Sequence, residues 1–319
     1  MCDGVSSALS ADNCNGYDSL SVFVEICRLL VVISDYSGLY TFLITNGFRR
    51  IESLNNKDKI RKKDLNRIRR LRLIDDDFMT IIFDGFEEGV NLLLNVILQR
   101  NDVGVTYVKT QKVLKSLEGR DLYLDIYAID ETGDRYNIEF QRSNIGAIPQ
   151  RTRYHSSMID SDMLKPGQRF DELSSNTVIF ITENDVLELN EPIYHIERCI
   201  KEGDSSVFND GSQLIYVNGE KKDPNTDLGR LMSDLYCTEA KDMYYQVLAD
   251  RVKYYKETEK GVKIMCQIWD EVREEGILMG KEENAVKMIE GGKLSYEEIS
   301  SYTGLPVDRI RELAGEKTA

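Results

Sequence analysis

The amino-acid sequence predicts an α/β domain in which helices surround a mixed β-sheet. Two runs within residues 124–141 alternate apolar and polar positions across a turn, as the strands of a hairpin do. A further run, 176–184, is apolar and rich in β-branched residues, which is typical of a buried strand. Segments with the apolar spacing of helices lie before and after these strands, so helices are expected to cover the sheet.

The expected elements follow one another regularly from Leu73 onward. Three Asp residues at 75–77 precede the first helical pattern and suit a helix start, where acidic side chains are favourable. The pattern predicts helices within 73–97, a strand at 104–111, the hairpin at 124–141, a helix at 148–164, strands at 176–184 and 214–218, and helices after about residue 226.

The last segment, 294–313, has the form helix, Thr-Gly turn, helix. Ser295 is a candidate N-cap, and Pro306 is expected at the start of the second helix. Helix-turn-helix proteins that bind DNA have this shape. The second helix carries no Asn or Gln that could contact bases, so a packing or dimerising tail is the favoured interpretation.

Composition limits the class of protein. The chain has 319 residues, of which 41% are hydrophobic and 30% charged, and this fits one large domain with an appendage. Six scattered cysteines and two histidines argue against a zinc site and fit a reducing cytoplasm.

No secretory signal is apparent, and charged residues interrupt the most apolar stretch, so no membrane span is expected. A net charge of −14 argues against a protein that coats nucleic acid, although a local basic groove could still follow phosphates.

Three regions are expected along the chain: an extension over 1–72, a domain over 73–237 and a helical C-terminal region over 238–319. Within the extension, residues 49–72 contain 11 basic and 3 acidic residues. This run could hold a phosphate backbone, but a solvated helix or mobile tail is the favoured interpretation. The composition also allows that residues 1–45 come from a wrongly chosen start.

The hairpin at 124–141 places its polar side chains on one face. If Asp130 lies opposite Asp134, the loop ends at Gly133, where a positive φ costs least. Facing residues then have numbers that sum to 264. On the apolar face this register pairs Ile126 with Ile138 and Leu124 with Phe140. On the polar face it pairs Asp125 with Glu139, Tyr127 with Asn137 and Tyr123 with Gln141.

Asp125 and Glu139 would then be close enough to repel each other, because directly opposed Cβ atoms lie about 4.5–5.5 Å apart. One carboxyl group must protonate, or a cation must lie between the two. Mg²⁺ accepts one or two protein carboxylates and keeps positions for water and phosphate oxygens. The alternative for this stretch alone is a solvated outer face, where charged residues are common.

The order of three motifs resembles a known family. LDIYAIDETGDRYNIEFQR, RTRYHSSMIDSDML and VIFITENDVL are similar to motifs of the PD-(D/E)XK nuclease family of transposase-like proteins, in the recombination-promoting nuclease (Rpn) group. Further similar stretches extend the resemblance over about 73–275. It implies a restriction-endonuclease-like core, a mixed sheet with flanking helices and an active site on adjacent strands, followed by a helical C-terminal extension.

The resemblance also implies the residues of the site. In the family's pattern the first acid corresponds to Asp125 and the second to Glu139, which would hold one or two Mg²⁺ (or Mn²⁺) ions. Gln141 stands where the pattern's name has lysine, as is common in the Rpn group, and would position the attacking water. Glu88 is expected to complete the metal site from an earlier helix, and Glu87 is its neighbour on another face.

The activity that the resemblance implies is a Mg²⁺-dependent DNA endonuclease linked to recombination. Arg142, Arg151 and Arg153 are candidate contacts to DNA phosphates, and each could instead pair with the surplus acid of this chain. His155 shares a helical face with Arg151 but is not expected to act as a base, because a metal-bound water needs no histidine.

Two competing hypotheses remain open. One is a DNA-binding protein whose nuclease site has weakened, with Gln141 as the sign of that loss. The other is an interaction module, with a homodimer formed through the C-terminal helices within 238–316.

Overall fold

The computed structural model of the chain describes residues 61–116, 119–202 and 204–315. The described residues from Asp64 onward form one compact unit. The expectations for residues 1–45, and for the basic run as far as residue 60, lie outside the described residues. Residues 64–72 do belong to this unit, and their apolar side chains Ile68 and Leu71 are buried in its core. The expected boundaries at 72 and 237 stay predictions.

A mixed sheet lies at the centre of the unit. The strands of the described residues are β1 (Val105–Leu114), β2 (Leu122–Asp130), β3 (Arg135–Gln141), β4 (Asn176–Thr182), β5 (Ile193–Ile196), β6 (Cys199–Ile200), β7 (Ser206–Val207) and β8 (Ser212–Asn218). Six of them form the sheet β1-β2-β3-β4-β8-β5, whereas β6 and β7 form a separate ribbon. The β3–β4 and β4–β8 pairs are parallel and the other pairs of the sheet are antiparallel.

Helices lie on both faces of the sheet and at the C-terminal end of the unit. They are α1 (Asp76–Phe83), α2 (Glu87–Leu98), α3 (Pro149–Met163), α4 (Asp227–Tyr236), α5 (Gln246–Glu257), α6 (Glu259–Gly291), α7 (Tyr296–Thr303) and α8 (Val307–Leu313). Apolar side chains of α1, α2, α4, α5 and the first part of α6 form the larger core on one face. On the other face α3 packs through Ile159 against Val178 and Phe180 of β4. The predicted α/β class, with a mixed sheet and flanking helices, is confirmed.

The hairpin of β2 and β3 has the predicted register. Ile126 pairs with Ile138, and the ladder continues with constant offset toward the turn. Gly133 has a φ of 90°, which a residue with a Cβ adopts only at a cost. The ladder ends at Ile126–Ile138, so Asp125 and Glu139 are not a ladder pair.

The predicted apolar pair Leu124–Phe140 is wrong, because Leu124 packs in the core under α3 and Phe140 in the core on the opposite face. The reason lies in β1, where Gln111 has a φ of 50°, a left-handed conformation that is rare in strands. Thr110, the residue before Gln111, contacts α1, whereas Lys112, the residue after Gln111, contacts α3. Ordinary alternation along a strand would place both of these side chains on one face of the sheet. The neighbouring strand also changes face, at Asp125, and its pairing with β3 ends there.

The C-terminal end forms a small three-helix cluster. The last turns of α6 pack against α7 and α8 through Ala285, Ile299 and Ile310, among others. Ser295 caps α7 as predicted, since its hydroxyl accepts a hydrogen bond from the Glu298 backbone N–H (3.2 Å). The arginines of α8 form ion pairs with acidic side chains of α6 and α8. Among the described helices, none is both long and apolar enough to cross a membrane.

Candidate active site

The two acids of the site are joined through the backbones of adjacent strands. Phe140 N–H donates to Asp125 Oδ2 (3.0 Å), and Asp125 N–H donates to Glu139 Oε1 (3.0 Å). Beyond the last ladder pair, these carboxylates thus accept backbone hydrogen bonds that a regular ladder would have given to carbonyl groups. The opening of the strand pair therefore brings both acids to one place and holds their orientation.

Glu139 is completely buried and belongs to a closed ring of hydrogen bonds beneath α3. Asn137 Nδ2 donates to Glu139 Oε1 (2.8 Å), and the Asn137 Oδ1 atom lies 2.9 Å from His155 Nδ1. Arg151 closes the ring, because its Nε donates to His155 Nε2 (3.3 Å) and its Nη2 donates to Glu139 Oε2 (3.4 Å). Each buried polar group of the ring is thereby satisfied, as burial requires.

His155 takes part in this ring as a neutral imidazole. Burial, assisted by the nearby charge of Arg151, lowers its pKa to about 3. Since arginine can only donate, Nε2 must be the accepting nitrogen, and Nδ1 carries the proton that it donates to Asn137. Both ring nitrogens are thus engaged, and His155 orients Asn137 and Arg151.

The carboxyl groups of the site are unusually hard to ionise. Burial is the main cause that raises the pKa of Asp125 to about 6, and the charge of Asp76 adds to it. Burial followed by the charge of Asp125 raises the pKa of Glu139 to about 8. Hydrogen bonds and the guanidinium of Arg151 oppose both shifts without cancelling them. A cation bound between the carboxylates would remove the repulsion.

Two further acids are candidates for the third carboxylate of the site. Glu88 is exposed in the first turn of α2 and has no hydrogen bond or ion pair with Asp125 or Glu139. Asp76 in the first turn of α1 is exposed and lies within electrostatic range of Asp125. The run of three Asp residues at this helix start was a signal for it in the sequence. Glu88 as a metal ligand stays a prediction.

The chemistry of the donor set fits a hard divalent cation. Asp125 and Glu139 offer carboxylate oxygens, and Asp76 adds a third carboxylate nearby. Such oxygen ligands are those that Mg²⁺ and Mn²⁺ prefer, and Mg²⁺ is commonly held by only one or two protein carboxylates. Within the described ranges, no three His, Cys, Asp or Glu side chains are already arranged around one metal position.

The three arginines proposed to contact DNA have different surroundings. Arg151 points into the site. Arg142 is 55% exposed and lies between two acids, 3.4 Å from Asp75 and 3.5 Å from Glu183. Arg153 is exposed, and its side chain makes no hydrogen bond or ion pair with the residues that the structure describes. DNA contact by these arginines stays a prediction.

Comparison with known proteins identifies the domain that carries this site. Residues 87–244 match the sequence model of the PD-(D/E)XK nuclease family transposase. No curated protein and no solved structure matches the chain. With the mixed sheet described above, the match supports the restriction-endonuclease-like α/β fold expected from the motifs. Nucleases of this kind typically use divalent metals.

The raised pKa of Glu139 should make the stability of the metal-free protein depend on pH. An unfolded glutamate ionises near pH 4.5, whereas folded Glu139 keeps its proton until about pH 8. Between these two pH values the folded state therefore binds one more proton at Glu139 than the unfolded state does. The free energy of unfolding should consequently fall as the pH rises from about 5 to about 8. Thermal denaturation in EDTA across this range measures the effect.

Glu139→Gln is the matched control for this experiment, because it removes the titrating group. Its melting temperature should depend less steeply on pH than that of the wild type. Adding Mg²⁺ at about pH 8 should raise the melting temperature of the wild type more than that of the variant. Parallel pH curves for the two proteins would mean that Glu139 ionises normally and would contradict this account.

Proposed function

The chain carries a domain of the PD-(D/E)XK nuclease family transposases, and on that premise we propose that it is a Mg²⁺-dependent DNA endonuclease of the recombination-promoting type. The observation that carries the proposal is the pair Asp125 and Glu139. Each accepts a backbone hydrogen bond from the other's strand, and burial, followed by the charge of Asp125, raises the pKa of Glu139. A buried carboxylate beside a partly buried one suits a bound divalent cation.

In the proposed reaction Asp125 and Glu139 hold Mg²⁺ or Mn²⁺, and Asp76 or Glu88 completes the site. A bound ion would supply a water of lowered pKa and would stabilise charge on the reacting phosphate. Gln141 hydrogen-bonds the attacking water, while Arg142 and Arg153 contact phosphates of the bound DNA. The Asn137–His155–Arg151 chain keeps the Glu139 carboxylate in one orientation.

A weakened nuclease that still binds DNA is the alternative. The observation that favours it is Gln141, whose neutral amide stands where the family's pattern name has lysine. The intact Asp125–Glu139 pair favours the active enzyme, because the buried carboxylate of Glu139 beside a second acid is costly without a ligand. The scattered cysteines support the further proposal of a cytoplasmic location.

The purified protein should nick supercoiled plasmid in the presence of Mg²⁺ and not in EDTA. Asp125→Ala should lower the nicking rate at least about 100-fold, because it removes an ion ligand at the reacting phosphate. Asp102→Ala is the matched control, since Asp102 is an exposed acid whose only side-chain partner among the described residues is Arg100. Its nicking rate should equal that of the wild type. Cleavage that survives Asp125→Ala would contradict the proposed site.

Two variants decide which acid completes the metal site. If Asp76 does so, Asp76→Asn should raise the Mg²⁺ concentration needed for half-maximal nicking, whereas Glu88→Gln should leave it unchanged. The reverse result would support the expectation drawn from the motifs. Retention of DNA at low salt without nicking by the wild type would favour the weakened nuclease.

We also propose that two copies of the chain associate through the middle of α6. Val272, Ile277, Leu278 and Met279 are exposed there, which is unusual for a run of apolar residues on one helix. Gly276 and Gly280 are spaced one turn apart with open space above each, so a second helix could approach closely. A second copy of the same helix is the proposed occupant.

Replacing Met279 by Lys should weaken this self-association, because it places a charge in the proposed apolar contact. Sedimentation velocity over a range of protein concentrations measures the effect on the monomer–dimer equilibrium. Lys260→Met is a control at the start of the same helix, outside the exposed apolar run. A wild type that stays monomeric at all concentrations would exclude the dimer.

A further inference from the structure

Arg151 fixes the orientation of the Gln141 side-chain amide. Its Nη1 atom lies 3.0 Å from Gln141 Oε1. Since arginine is only a donor, the atom that it contacts must be the amide oxygen. The other end of the amide is then the Gln141 Nε2 group, which has two N–H donors and no hydrogen-bond partner among the described residues.

Gly146 makes this orientation possible. A Cβ atom on residue 146 would lie only 2.1 Å from Gln141 Oε1, so any other residue would displace the amide. The Gly146 carbonyl also accepts a hydrogen bond from Arg151 Nη1 at 3.0 Å. The Gln141 oxygen is therefore enclosed between a guanidinium and a glycine, and its orientation is fixed from both sides.

The guanidinium of Arg151 is itself held in place. It donates to Glu139 and His155 within the ring described above, and its central carbon lies 5.9 Å from the centre of the Phe180 ring. The Arg151 side chain is nevertheless 38% exposed, so its positive charge lies at the border between the buried ring and solvent. Arg153, two residues further along α3, has no comparable contacts among the described residues.

We propose that Arg151 and Gln141 together do what the lysine of the family's pattern name does, an inference that rests on the proposed nuclease function. A lysine combines a positive charge and N–H donors in one group. Here Arg151 supplies the charge and polarises the amide, and Gln141 Nε2 donates to the attacking water or to a phosphate oxygen. Arg151 is a positioning residue that acts through Gln141, and the Gln141 oxygen is not a metal ligand.

The nicking rates of matched arginine variants test this inference. Arg151→Gln should lower kcat about 100-fold with a smaller change in KM, because the lost interaction acts in the transition state. Arg151→Lys should retain more activity, since it keeps the charge but loses the fork of donors. Arg153→Gln is the matched control, and it should change KM and its salt dependence rather than kcat.

A double variant tests whether the charge can be moved. Gln141→Lys combined with Arg151→Gln restores a cation at residue 141, and its kcat should exceed that of Arg151→Gln alone by at least about tenfold. Gly146→Ala should mimic Arg151→Gln, because it displaces the amide while leaving the arginine in place. Thermal denaturation of each variant shows that a lost rate does not reflect unfolding.

The side-chain amide signal of Gln141 gives a readout that needs neither metal nor DNA. In a ¹⁵N–¹H correlation spectrum, Gln141→Glu identifies this signal by its loss. Arg151→Gln should shift the signal, and Arg153→Gln should leave it in place.

The outcomes separate the inference from the proposed function. Two results would overturn the inference and leave the nuclease function intact. One is metal-dependent nicking in which Arg151→Gln and Arg153→Gln change kcat equally. The other is a Gln141 amide signal that Arg151→Gln does not shift. Failure of the wild type to nick DNA with metal would overturn the proposed function and this inference with it.

Discussion

The burial of one carboxylate, that of Glu139, constrains the rest of the site. No part of this side chain is exposed, so its oxygens need partners inside the protein. Asn137, the Asp125 backbone and Arg151 supply them, and His155 fixes two of these partners relative to each other. The hydrogen bonds from Arg151 to Glu139 and between His155 and Asn137 link α3 to β3 at the site.

The sheet departs from regular pairing at this site. In a regular sheet the backbone N–H of Phe140 would donate to a carbonyl oxygen of β2, and that of Asp125 to a carbonyl oxygen of β1. In this structure the two carboxylates accept those hydrogen bonds, and the strands change face next to Gln111, whose φ is 50°. Irregular backbone at such a position costs stability and is typical of functional sites.

Local patterns predicted much of the fold and the proximity of Asp125 and Glu139. Alternation with period two, together with Gly133 in the turn, predicted the hairpin register, and the structure confirms it from Ile126–Ile138 to the turn. The change of face at Asp125 could not be predicted, because it depends on the conformation of Gln111 in another strand. Arg151 was expected to contact DNA phosphates, because nothing in the sequence of its own helix indicates that Gln141 and Glu139 lie beneath it. Asp76 was missed because a run of Asp residues at a helix start suits any helix.

The central claim is that Asp125 and Glu139 together hold a divalent cation. A crystal of the protein soaked in Mn²⁺, with anomalous diffraction recorded at the manganese edge, tests it most directly. This account predicts anomalous density between the two side chains, with oxygens of both carboxylates bound to the metal, and no density there in crystals of Asp125→Asn. Density only at other positions, or density that persists in Asp125→Asn, would contradict it.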